Sequence, residues 1–284
     1  MIVPGSSAQS VAAALADELG TSLAAVDYSR FPDGERLVEV PADLERAVVV
    51  ASTVSPADHV EVLLLQDAVR EAGASDVTTV IPYMGYARQD EAFKPGQPVS
   101  ARAVAKAIST GTDRVLTVNP HEPEVCEFFT VPTTAVDGAG QLAPALPRDL
   151  EEPVFLAPDE GAVSLARSVS GAYGRGETDF FEKHRDLDTG EIEMRPSEVA
   201  VTDRDVVVID DIVATGSTMS EAIDILQDRD PARVFVAAVH PLLAGNARSK
   251  LANADVEAIY GTDTIERAVT AVSVAPAIAE HLDR

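Results

Sequence analysis

Two adjacent carboxylates, Asp210 and Asp211, close the apolar run Val206–Ile209 and are followed by Ile212-Val213-Ala214-Thr215-Gly216-Ser217-Thr218. The small residues, hydroxyls and backbone N–H groups of Thr215–Thr218, set at an expected helix start, suit an anion. Asp210 and Asp211 would repel one. Both features fit a ligand with a phosphate at one end and vicinal hydroxyls, or a hydrated magnesium ion, at the other. An apolar strand delivers such a loop to the carboxyl edge of a parallel sheet, where open α/β folds bind ligands.

Four other stretches carry reactive side chains. Phe181-Glu-Lys-His-Arg185 places Lys183 and Arg185 two apart in an extended segment, so they share a face. The polar run after them reads as a hairpin, and two cations on it suit a diphosphate in transfer. Pro82-Tyr-Met-Gly-Tyr-Ala-Arg-Gln-Asp90 follows a strand and carries Arg88, Gln89 and Asp90 at its end, where Arg88 could also be a surface cation paired with Asp90 and Glu91. Arg30-Phe-Pro-Asp-Gly-Glu35 is a turn between two strands, with Phe31 exposed and Asp33 and Glu35 as acceptors. His121 and Asp159 each follow a strand, Asp159 within Pro-Asp-Glu-Gly. The remaining histidines, His59, His184, His240 and His281, receive no chemical role.

The elements that must position these residues alternate regularly. Strands are expected over Ala47–Ala51, Val77–Ile81, Arg114–Val118, Val154–Ala157, Val206–Ile209, Val234–Val239 and Val256–Tyr260. Helices are expected over Ser7–Leu19, Ala57–Ala72, Ser100–Ser109, Ala162–Ser170, Ser217–Gln227 and Ala275–Leu282. This is an α/β pattern of mainly parallel sheets flanked by helices. Val48-Val-Val and Val206-Val-Val each lead through a loop and a helix to a strand that ends in proline, Pro82 and Pro241. That similarity reads as an internal repeat, two like domains over 1–146 and 147–284, divided near Pro144, Pro147 and Pro153. The last helix is expected to pack back on the N-terminal domain.

Composition narrows the function classes. With 47 Asp and Glu against 22 Lys and Arg the formal charge is −25, and the acids are spread along the chain rather than gathered in a tail. Spread acidity is the signature of a solubilising surface in a salt-rich cytoplasm. It excludes the basic footprint that nucleic-acid binding needs. The one cysteine, Cys126, leaves no internal disulfide. No apolar run approaches a membrane span, and Met1-Ile-Val-Pro-Gly is not the start of a signal peptide. A soluble cytoplasmic protein without a membrane partner is expected.

The Asp210–Thr218 loop resembles the phosphoribosyl-binding loop of phosphoribosyltransferases and of ribose-phosphate diphosphokinases, also called phosphoribosyl-diphosphate synthetases. Taken together with the other stretches, in the same order along the chain, the resemblance is to the diphosphokinases, of an archaeal, halophilic type. It implies two similar phosphoribosyltransferase-like domains and transfer of the diphosphoryl group of ATP to the C1 hydroxyl of ribose 5-phosphate. Residue by residue it implies Asp210, Asp211 and Ala214–Thr218 for ribose 5-phosphate. It implies Phe31, Asp33, Glu35, Arg88, Gln89 and Asp90 for ATP, His121 and Asp159 for Mg2+, and Lys183 and Arg185 for catalysis. Phe31–Glu35 would come from a neighbouring subunit, so a homo-oligomer is implied. The chain has Asn119-Pro120-His121 where the family usually has Asp-Leu-His, and Ala214 where Asp is frequent. Two other readings share the loop. A phosphoribosyltransferase needs neither the Arg88 segment nor the Lys183/Arg185 pair, and a non-catalytic regulatory homologue would lose the pair or the metal residues.

Overall fold

A computed structural model describes residues 1–41, 43–185, 192–195 and 198–282. The chain divides into two compact units: Met1–Gly138 with Asp263–Glu266 and Ser273–Arg284, and Ala139–Thr262 with Arg267–Val272.

The first unit begins with strand β1 (Ile2–Pro4), helix α1 (Gln9–Glu18), strands β2 (Asp27–Arg30) and β3 (Arg36–Glu39), and strand β4 (Arg46–Val50). Helix α2 (Pro56–Glu71), strand β5 (Asp76–Ile81), helix α3 (Ser100–Ile108), and strands β6 (Arg114–Val118) and β7 (Thr133–Val136) follow. Strands β1, β4, β5, β6 and β7 pair in that order, all parallel. Strands β2 and β3 form a separate antiparallel hairpin. Helix α2 starts at Pro56 because Ser55 and Asp58 form a capping box around that first helical position. Its buried face, Val62, Leu65 and Val69, packs on the sheet.

The second unit opens with a 3-10 turn over Ala139–Ala145 that packs on helix α4 (Val163–Tyr173), so the unit starts before the expected division at 146/147. Its strands are β8 (Val154–Ala157), β9 (Glu177–Phe180), β10 (Glu182–Arg185), β11 (Ile192–Arg195) and β12 (Asp205–Ile212). After helix α5 (Ser217–Gln227) come strand β13 (Arg233–His240), helix α6 (Ala247–Asn253), and strands β14 (Ala258–Thr262) and β15 (Thr270–Val272). The sheet order is β15-β14-β13-β12-β8-β9, again all parallel. Strand β12 lies between β13 and β8 and is covered on both faces, which is why Val206–Ile209 is a continuous apolar run rather than an alternating one. Helix α7 (Ala275–Ala279) rejoins the first unit and packs on α1.

The expected elements are present with shifted ends. The last expected strand, Val256–Tyr260, is Ala258–Thr262, because the chain turns at Asp255 (φ 53°) before Glu257 N–H donates to the Val234 carbonyl. Helix α4 runs on to Tyr173, where Gly174 takes the left-handed conformation (φ 88°) that ends it.

Candidate functional site

In the second unit Asp210 and Asp211 stand at the carboxyl end of β12, and Asp159 follows the neighbouring β8. Each carboxylate of the pair turns back on the chain: Asp211 N–H donates to Asp210 Oδ1 (3.0 Å) and Ile212 N–H to Asp211 Oδ1 (2.7 Å). Burial, then the charge and hydrogen bond of Asp211, then the charge of Asp159 push the Asp210 carboxyl well above the ordinary carboxylate range. A side chain at Gly161 would come within 3.3 Å of Asp159 Oδ1, so the glycine leaves that carboxylate room.

The loop leaving β12 is tied down from one side. Val213 N–H donates to the His240 carbonyl, Leu243 N–H to the Val213 carbonyl and Ala244 N–H to the Ala214 carbonyl. Gly216 has φ 72°, and a Cβ there would sit 3.3 Å from the Ala247 carbonyl oxygen. Glycine is therefore demanded twice, by conformation and by the approach of α6. Ser217 begins α5, and no side chain caps this helix end, which leaves its first-turn N–H groups directed at the loop. Thr215 Oγ1 and Ser217 Oγ lie 3.3 Å apart. The sequence reading missed Lys250: its Nζ, reaching from α6, donates to Ser217 Oγ at 2.8 Å. No motif flagged it, since α6 buries only Ala247 and Leu251 and shows little periodicity.

In the first unit Arg88–Asp90 follow β5 and His121 follows the adjacent β6. The turn before Arg88 is locked. Gly85 N–H donates to Thr53 Oγ1 (2.9 Å), a Cβ at Gly85 would lie 2.2 Å from the Thr53 carbonyl oxygen, and Tyr86 takes φ 66°. The Tyr86 ring rests on His59 at 5.3 Å between centroids, and both His59 ring nitrogens are buried without a hydrogen-bond partner. Burial pushes the His59 pKa down, so the ring packs here as a neutral body. Arg88 is exposed, whereas Gln89 is held at the start of α3 by Ser100 Oγ, which donates to its side-chain carbonyl. Asn119 joins the ends of β6 and β7: its Nδ2 donates to Asp137 Oδ1 (3.0 Å) and its Oδ1 accepts from Gly138 N–H (2.8 Å).

Phe31–Glu35 form the tip of the β2–β3 hairpin, with Phe31 48% exposed and Glu35 N–H donating to Asp33 Oδ1 (3.2 Å). Just behind the tip, Arg36 pairs with Glu61 and with Asp58 (3.3 Å) on α2, and Glu61 also accepts from Ser6 N–H and Ser6 Oγ. Lys183 and Arg185 occupy β10, paired in register with Met194 and Ile192 of β11. The connection between the two strands lies outside the described residues. Among the described residues no three His, Cys, Asp or Glu side chains converge to hold a metal ion by themselves. The oxygen donors of Asp159, Asp210 and Asp211, whose charges act on one another, fit magnesium, which keeps waters and takes further ligands from substrate phosphates.

Residues 1–111 match the N-terminal domain of ribose phosphate pyrophosphokinase, and residues 135–276 match the phosphoribosyl transferase domain. The ribose-phosphate pyrophosphokinase of Halobacterium salinarum is 65% identical over 284 residues, covering 99% of this chain and 100% of the relative. The chain belongs to the ribose-phosphate pyrophosphokinase family. The pyrophosphokinase of Methanopyrus kandleri is 43% identical over 274 residues, covering 95% of this chain and 94% of its own. Among solved structures, phosphoribosylpyrophosphate synthetase from Mycobacterium smegmatis matches with a TM-score of 0.83 at 25% identity, over 100% of this chain and 97% of that one. The family and two-domain α/β fold read from the motifs are thus borne out. A pyrophosphokinase also accounts for both halves of the motif set, the loop after β12 and the arginine-bearing turn after β5.

Proposed function

We propose that this pyrophosphokinase makes 5-phospho-α-D-ribose 1-diphosphate and AMP from ribose 5-phosphate and ATP. The sugar's C1 hydroxyl oxygen bonds to the β-phosphorus, and the bond from that phosphorus to the oxygen bridging to the α-phosphorus breaks. AMP leaves with the bridging oxygen, and the hydroxyl proton is released. The observation that supports this reading best is the loop after β12, which pairs carboxylates for hydroxyls with hydroxyls and N–H groups for a phosphate.

Thr215, Gly216, Ser217 and Thr218, with Ala214 keeping the turn small, hold the 5-phosphate, and Asp210 and Asp211 accept from the ribose hydroxyls. Arg88 takes nucleotide phosphate, with Gln89 and Asp90 shaping the turn. Phe31 stacks on adenine, while Asp33 and Glu35 accept from its amino edge. His121 and Asp159 are the proposed magnesium residues, and a magnesium ion held there would supply positive charge to the group in transfer. Lys183 and Arg185 stabilise charge developing on that group. Holding two substrates in line supplies much of the rate. The enzyme works in the cytoplasm as a homo-oligomer in which Phe31–Glu35 complete a neighbour's site.

The test is AMP release from ATP and magnesium in molar KCl, with and without ribose 5-phosphate, in the native chain and in Lys183→Ala. AMP is expected only with the sugar present. Lys183→Ala is expected to lower turnover by roughly 100-fold or more while leaving the circular dichroism spectrum intact. AMP release that ignores the sugar contradicts the function, and near-native turnover in the variant removes the hairpin from the mechanism.

A further inference from the structure

The loop assigned to the 5-phosphate carries no cation of its own. Ile212–Thr218 is uncharged, and the residues just before it are two acids. A phosphate dianion seated on the first turn of α5 gains N–H donors there, yet it lies close in sequence to the carboxylates of Asp210 and Asp211. Some fixed positive charge is needed nearby, and one is present on a different element.

Lys250 lies on α6, the helix that closes over the loop at Gly216. Its half-buried side chain brings Nζ to 2.8 Å from Ser217 Oγ, which in turn lies 3.3 Å from Thr215 Oγ1. The ammonium therefore sits in one cluster with the two hydroxyls assigned to the phosphate. Among the described residues no carboxylate lies within 4.0 Å of it. In a chain with 47 acids and four lysines, an ammonium spent on a neutral hydroxyl is an unlikely use of charge unless something anionic arrives. An ammonium has three donors, so Lys250 can keep Ser217 and donate to a phosphate oxygen at once. The main-chain ties from Val213 and Ala214 to Leu243 and Ala244 hold α6 and the loop in this register.

We propose that Lys250 is a binding residue of the ribose 5-phosphate site, supplying from α6 the positive charge that the loop lacks. The proposal rests on the reading of Ala214–Thr218 as the 5-phosphate loop. It predicts selectivity within one molecule: Lys250 should matter for the phosphate end of the sugar and not for its hydroxyl end or for ATP.

The experiment is steady-state kinetics on the full chain and on Lys250→Met, Lys250→Arg and Thr218→Ala, with ribose 5-phosphate and, at high concentration, with ribose, which lacks the phosphate. Lys250→Met is expected to raise KM for ribose 5-phosphate by about tenfold or more. KM for ATP and kcat/KM for ribose should stay near native, and Lys250→Arg should recover part of the loss. An unchanged KM for ribose 5-phosphate in Lys250→Met overturns the proposal. So does an equal loss on both sugars with a lowered melting temperature, which would make Lys250 a strut between α5 and α6. Thr218→Ala separates the two layers. If it raises KM for ribose 5-phosphate and Lys250→Met does not, only the Lys250 assignment falls. If neither variant affects that KM, the loop is not the phosphate site.

Discussion

Asn119 stands where the family usually has an acid, and its side chain ties the end of β6 to the residues that follow β7. The family's usual acid at this position would face Asp137, whose Oδ1 receives the Asn119 amide at 3.0 Å. A carboxylate cannot donate, so Asn119→Asp replaces a hydrogen bond by two like charges. The substitution is expected to cost about 1 kcal/mol at pH 7. The deficit should close at about pH 4 and below, where one carboxyl of the pair is protonated and donates again. Urea unfolding at the two pH values measures this, and equal stability of the two proteins at pH 7 would contradict it. At this scale the motif residues were legible because their types are chemically unusual for their surroundings. Lys250 and the Ser100 hold on Gln89 were not legible, because each joins segments far apart in sequence through one side-chain contact.

Among elements, β12 and β13 are locked together at their amino ends, opposite the site. Buried Asp205 receives both Arg233 Nε (2.8 Å) and Arg233 Nη2 (2.6 Å), and it also accepts from Glu151 N–H. Burial raises the Asp205 pKa, but the Arg233 hydrogen bonds, the Glu151 N–H and the Arg233 charge outweigh it and hold the carboxyl below its ordinary range. A folded-state pKa below the unfolded one means the pair's contribution is full above the ordinary aspartate value and is lost as pH falls through the lower folded value. Asp205→Asn should therefore cost about 2–3 kcal/mol at pH 7. That difference should shrink as pH falls below about 4; a difference that stays constant into acid would contradict the assignment. The buried central strands and long amphipathic helices were legible because their apolar runs and periods are set by packing on both faces or one. The edge strands β1, β7, β9 and β15 span only three or four residues, too few to show a period. The start of the second unit also lay hidden, since Ala139–Ala145 packs forward onto α4 despite preceding the proline-rich stretch.

Across the whole molecule, a net charge of −25 favours self-repulsion that salt screens, so activity is best measured in molar KCl. Each unit places its proposed site residues at the carboxyl edge of an all-parallel sheet: the Arg88 turn and His121 on one, Asp159 and the Asp210–Thr218 loop on the other. That distribution matches an enzyme with two phosphorylated substrates, one reached through each half of the chain. In the proposed reaction the bond broken lies between the bridging oxygen and the β-phosphorus of ATP, and the transferred diphosphoryl group stays on the sugar. Phosphorus NMR of a reaction with ATP, magnesium and ribose 5-phosphate reads this directly. The expected spectrum shows AMP and a sugar diphosphate rising in equal amounts, with the β- and γ-phosphorus signals both carried into the sugar product. ADP with inorganic phosphate, or free pyrophosphate in place of the sugar diphosphate, would contradict it.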